Sequence, residues 1–110
     1  MIFLHPKTEN DFLSYITTNK FCLVDFYADW CKPCVKLYKY LSSISDKYNN
    51  LTVIKVNVDI VELKNICMIH SVNSLPCVIF YTNGILELVK IEGFGDKTIQ
   101  TIQSYLDKTN

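Results

Sequence analysis

Apolar and polar residues fall into blocks along this chain, and the blocks change period in a regular order. "KFCLVDFYA" (20–28) and "LTVIKVNVD" (51–59) are short, nearly continuous apolar runs bounded by polar residues, the pattern of strands buried on both faces. Between them Leu37, Leu41, Ile44 and Tyr48 recur at spacings of three and four, which predicts an amphipathic helix from about Pro33 to Asn49. Two apolar strands joined by a helical crossover make a parallel βαβ unit. Upstream, "TENDFLSYITTN" offers Thr8 as an N-cap with Asp11 three positions on, then Phe12, Leu13 and Ile16 on one face of a first helix. Downstream, Leu63, Ile66, Cys67 and Ile69 outline a shorter helix. "PCVIFYTNGILELVKIE" (76–92) then sets the hairpin dipeptide Asn83-Gly84 between two apolar runs. A last helix from about Asp96 to Lys108 carries Ile99, Ile102, Tyr105 and Leu106 on one side. The resulting order is βαβαβαββα, an α/β chain with no repeat or low-complexity linker, so residues 1–110 read as a single domain.

Composition narrows the function classes. A 49% apolar content over 110 residues is enough for one core. The 11 Lys and Arg are balanced by 11 Asp and Glu, so no basic field draws the chain to nucleic acid or to anionic membranes. The start, "MIFLHPKTEN", is too short in apolar residues for a secretory core, and no run is long enough to span a bilayer. The expectation is a soluble, cytoplasmic monomer. Five cysteines, an odd number, argue against a secreted disulfide framework and for a compartment that keeps most thiols reduced.

Two of those cysteines sit close together in "ADWCKPCVK" (28–36). If the second strand ends near Trp30 and the helix begins near Pro33, Cys31 lies at a helix N-terminus, where unpaired backbone N–H groups favour a thiolate. Pro33 suits the first helical turn, since it loses no intrahelical hydrogen bond there. Cys34 lies nearly one turn on, within bonding reach of Cys31 but already part of the helix body. Lys32 between them adds a positive charge that favours the Cys31 thiolate, an effect that salt screens. A second reading stays open: Cys67 and His70 are also three apart, giving C-x2-C…C-x2-H, a possible zinc ligand set. Against it, Cys67 falls on the same helix side as Leu63 and Ile66, as a core residue does. A third reading is a binding module that keeps the fold without the chemistry.

Asp25 is an outlier, a carboxylate inside an apolar strand where burial is costly without a partner or a proton. Lys55 occupies a similar place in the neighbouring strand. The pair is therefore a candidate buried ion pair whose carboxylate could take and return the Cys34 proton, or else a purely structural one.

These residues together resemble the thioredoxin family over nearly the full chain. "VDFYADWCKPC" is similar to its strand and active-site segment, "IKVNVD" to the strand carrying the partner lysine, and "VNSLPCVIFYTNG" to the segment with a cis-proline, here Pro76. Gly84 and Gly93 match its hairpin turn and late glycine. The resemblance implies a thioredoxin fold, a central mixed β-sheet flanked by helices on both faces. It also implies a protein-disulfide reductase, in which Cys31 attacks a substrate disulfide and Cys34 resolves the mixed disulfide. Asp25 and Lys55 would be its proton-handling pair, and Trp30, Leu75, Pro76 and Gly93 its substrate surface. No bound cofactor is implied; a flavoprotein reductase using NADPH would restore the dithiol. The chain departs from the family pattern in four places: Lys32 replaces glycine, Tyr27 tryptophan, Cys77 threonine, and Val35 a basic residue.

Overall fold

The computed structural model describes residues 1–109. Its strands are β1 (Ile2–Leu4), β2 (Phe21–Tyr27), β3 (Leu51–Asn57), β4 (Cys77–Thr82) and β5 (Ile85–Glu92). The helices are α1 (Glu9–Thr18), α2 (Lys32–Ile44), α3 (Lys64–Ile69) and α4 (Asp96–Asp107). One sheet holds all five strands in the order β1-β3-β2-β4-β5. β1, β3 and β2 run parallel, and β4 and β5 continue the sheet antiparallel.

Local chemistry accounts for the element ends. The Thr8 hydroxyl accepts from the Asp11 N–H (3.1 Å) while the Asp11 carboxylate accepts from the Thr8 N–H (3.2 Å), a capping box that starts α1. Asn83 (φ 54°) and Gly84 (φ 77°) both take the left-handed conformation that a tight two-residue hairpin needs. The expected helix to Asn49 ends at Ile44 and gives way to a 3-10 turn, Ser45–Lys47. Tyr48 is still buried, because the tighter turn delivers it to the core from outside the α-helix.

Strand alternation divides the core into two halves. One face carries Leu23, Val53, Val78, Phe80 and Ile91 beneath Leu37 and Leu41 of α2 and Ile102, Tyr105 and Leu106 of α4. The opposite face carries Cys22, Val24, Phe26, Ile54, Val56, Cys77 and Ile79 beneath Phe12 and Ile16 of α1, and Leu63 and Ile66 at α3. Leu13 and Ile69, expected on the inward sides of their helices, are instead exposed. Each lies at the margin of a stripe that only its neighbours complete.

Candidate active site

Chain direction puts the chemistry at the C-terminal end of β2. Beyond Tyr27 the chain turns through Ala28, Asp29 and Trp30 and enters α2, and Cys31 is the N-cap of that helix. Cys31 and Cys34 are joined as a disulfide with Cα atoms 5.3 Å apart. The Cys31 sulfur also accepts from the Cys34 backbone N–H (3.3 Å), one of the donors a helix start leaves free. That contact places electron density where the N-terminal end of the helix dipole favours negative charge. Pro33 falls in the first turn, as its missing N–H allows.

The two sulfurs sit among different neighbours. Cys31 lines an open groove with Trp30, Lys32, Pro33, Val58 and Leu75. Cys34 instead lines a small recess on the other side of the turn, with Tyr27, Asp29, Tyr38 and Lys55. Trp30 is 69% exposed, and its indole N–H donates to the Asp59 carboxylate (2.9 Å), which pins the ring beside the groove. Leu75 packs against the disulfide and Ala28. The Leu75-Pro76 bond is cis, and the Gly93 N–H donates to the Pro76 carbonyl (2.8 Å). Gly93 has φ 83°, a conformation favouring glycine. Its own carbonyl accepts from the Thr98 hydroxyl (3.0 Å), linking this loop to α4.

Asp25 and Lys55 are opposite one another in the parallel β2–β3 register, and both are buried. The direct ion pair expected from sequence is not made. Neither Asp25 oxygen has a hydrogen-bond partner, while the Lys55 ammonium lies 4.2 Å from the ring centroids of both Tyr27 and Tyr38. The long lysine stem carries its charge to two aromatic faces that attract it. Burial drives the Asp25 carboxyl up to about 7, and the Lys55 charge only partly opposes this.

The remaining cysteines are placed by the same alternation. Cys77 pairs in register with Phe26, whereas Val78 pairs with Asp25. Cys77 therefore points to the α1 and α3 side of the sheet, fully buried, and burial raises its thiol to about 11. Cys22 lies in the same half of the core and is likewise raised to about 11. Cys67 is partly buried there and also reaches the groove. His70 is engaged elsewhere: Nδ1 donates to the Ile66 carbonyl (2.8 Å), leaving Nε2 to accept from the Tyr81 hydroxyl (2.6 Å). With His70 bonded through both nitrogens and the Cys31 and Cys34 sulfurs bonded to each other, the four-ligand zinc reading has no assembled site. Among the described residues, no group of three metal-ligating side chains is gathered.

Asp59 and Tyr38 were not singled out from the sequence. Tyr38 is four positions after Cys34, a helical spacing that puts its ring on the same face. Asp59 carries no comparable signal, since its contact to Trp30 spans 29 positions.

A disulfide closed at a helix N-terminus, on a mixed sheet with a cis-proline loop beside it, defines a dithiol–disulfide oxidoreductase. The comparisons agree. The Thioredoxin family profile matches residues 3–108. Thioredoxin-1 of Saccharomyces cerevisiae is 32% identical over 94 residues, covering 86% of this chain and 88% of that one. The mitochondrial thioredoxin-2 of Schizosaccharomyces pombe is 34% identical over 92 residues, covering 84% and 67%. A solved structure of Plasmodium falciparum thioredoxin superposes with a TM-score of 0.80 at 26% identity, over 97% of this chain and 99% of that one. The chain belongs to the thioredoxin family, and its activity is protein-disulfide reduction through the Cys31–Cys34 pair.

Proposed function

We propose that Cys31 is the nucleophile and Cys34 the resolving thiol, with Asp25 as the proton acceptor of the second step. The single observation carrying this assignment is the division of the two sulfurs, Cys31 on the open groove and Cys34 on the recess that holds Lys55. In the reduced protein the Cys31 thiolate attacks a substrate disulfide, forming a mixed disulfide and expelling one substrate thiolate. Cys34 then gives its proton to the Asp25 carboxylate and attacks the Cys31 sulfur. The second substrate thiolate leaves, the Cys31–Cys34 disulfide closes, and the two electrons of the dithiol have passed to the substrate. Asp25 suits this part because its carboxyl, raised to about 7, can hold or release a proton near neutrality.

The substrate lies along the groove, its apolar side chains against Trp30 and Pro33 and its extended backbone beside Leu75, Pro76 and Gly93. Such a surface asks little of the substrate's sequence. Lys32, on the groove wall, supports the Cys31 thiolate by its charge. A flavoprotein reductase drawing on NADPH restores the dithiol. The unit is one domain over residues 1–110, acting as a monomer in a reducing compartment such as the cytoplasm. Three free cysteines are compatible with that setting, and no helix among the described residues is long and apolar enough to cross a membrane.

Insulin disulfide reduction tests the assignment. Cys31→Ser should abolish turnover, while Cys34→Ser should stop after one attack and accumulate a mixed disulfide through Cys31. Turnover persisting in Cys31→Ser would overturn it.

A further inference from the structure

The Lys55 ammonium is sandwiched by rings from two different elements, Tyr27 at the end of β2 and Tyr38 on α2, at 4.2 Å from each centroid. Tyr38 also packs against Phe3 of β1, edge-on at 5.6 Å and 70°. Lys55 is only 9% exposed, although its ammonium has no carboxylate bonded to it among the described residues. We propose that Tyr38 is a positioning residue, which with Tyr27 forms a two-ring clamp holding the Lys55 charge in the recess, on the residue paired in register with Asp25. The inference rests on the role proposed above for Asp25 and deepens it.

The physical case turns on where the ammonium would otherwise go. An ammonium is strongly hydrated, and a lysine stem is long enough to seek water when nothing detains it. Two aromatic faces replace part of that hydration without neutralising the charge, so the field still reaches Asp25 through a low-dielectric interior. A direct ion pair would fix Asp25 in its ionised form and lower its capacity to take a proton near neutrality. The clamp sets an intermediate condition, in which the lysine assists ionisation without completing it.

Other groups on this side define the local balance. Asp29 lines the same recess and offers a released ammonium a second partner. His5, just beyond β1, is pushed below its ordinary range by burial and then by the Lys55 and Lys7 charges. Cys34 faces the recess from α2. Cys77 of β4, on the opposite sheet face, is held as a neutral thiol by burial. If the Tyr38 ring is removed, water and Asp29 both draw the ammonium outward, so the Asp25 carboxyl should become harder to ionise.

The test is titration of the Asp25 carboxyl carbon by NMR in the oxidised protein, comparing wild type with Tyr38→Leu and Tyr38→Phe. Tyr38 is 43% exposed on α2, and Leu and Phe are both compatible with a helix there. Tyr38→Leu should move the midpoint up by roughly half a pH unit, about a threefold change in proton affinity. Tyr38→Phe keeps the ring and should titrate as wild type. An unchanged or lowered midpoint in Tyr38→Leu, or an equal rise in Tyr38→Phe, overturns the clamp. This readout does not depend on turnover. A clamp that holds while Asp25→Asn reduces insulin at the wild-type rate would instead refute the proton-transfer role.

Discussion

Asp25 and Lys55 are neighbours in the β2–β3 register that do not bond: the carboxylate stands without a hydrogen-bond partner while the ammonium rests on two tyrosine rings. An acid left alone in an apolar interior carries a cost that depends on pH. The Asp25 carboxyl is raised from 3.8 to about 7. Between those values the unfolded chain loses this proton and the folded chain keeps it, so stability falls as pH rises. Below about pH 4 the contribution is fully present, and above about 7 it is gone.

Asp25→Asn should therefore stabilise the protein at pH 8 by roughly 2–4 kcal/mol, with the gain shrinking towards zero near pH 4. Urea unfolding at the two pH values measures it. The same variant should reduce insulin more slowly at neutral pH, and equal stability of the two proteins at pH 8 would contradict the buried-acid assignment.

The free thiols should separate by reactivity. In native reduced protein at pH 8, iodoacetamide should label Cys31 first and Cys67 more slowly, leaving Cys22 and Cys77 unmodified, as mass spectrometry of peptides would reveal. Burial raises the latter two thiols to about 11, so almost none of either is thiolate at that pH. Cys77→Ala should leave insulin turnover unchanged.

Much of this site could be read from residue order. Asp25 announced itself as a charge in an apolar run, Thr8 with Asp11 as a cap, and Asn83-Gly84 as a hairpin, because each is a local signal whose physics spans a few residues. The lysine's actual partners could not be read that way. They depend on Tyr27 and Tyr38 converging from a strand and a helix, which only tertiary packing decides. The Trp30–Asp59 bond was hidden for the same reason, and the orientation of Cys77 needed the register of β4 against β2.

Asp59→Ala should release the indole without touching the dithiol. The expected effect is a two- to five-fold rise in KM for insulin with little change in kcat, consistent with loss of an exposed contact worth about 0.5–1 kcal/mol. A fall in kcat alone would assign Asp59 to the chemical steps instead.

Gly93→Ala isolates a backbone cost. Nothing lies within 4 Å of an added Cβ, yet φ is 83°. The substitution should therefore destabilise the fold by about 1–2 kcal/mol through conformation alone. Thermal unfolding would measure it, and a neutral result would mean the loop relaxes to a negative φ.

The placement of Cys77 has a wider consequence. A single residue of register separates it from Val78, which faces the Asp25 side. Sliding β4 by one position would exchange them and deliver a third sulfur to the carboxylate, alongside the reactive pair. The pleat thus acts as a partition, and the way the strand is counted decides on which side of it the Cys77 sulfur stands.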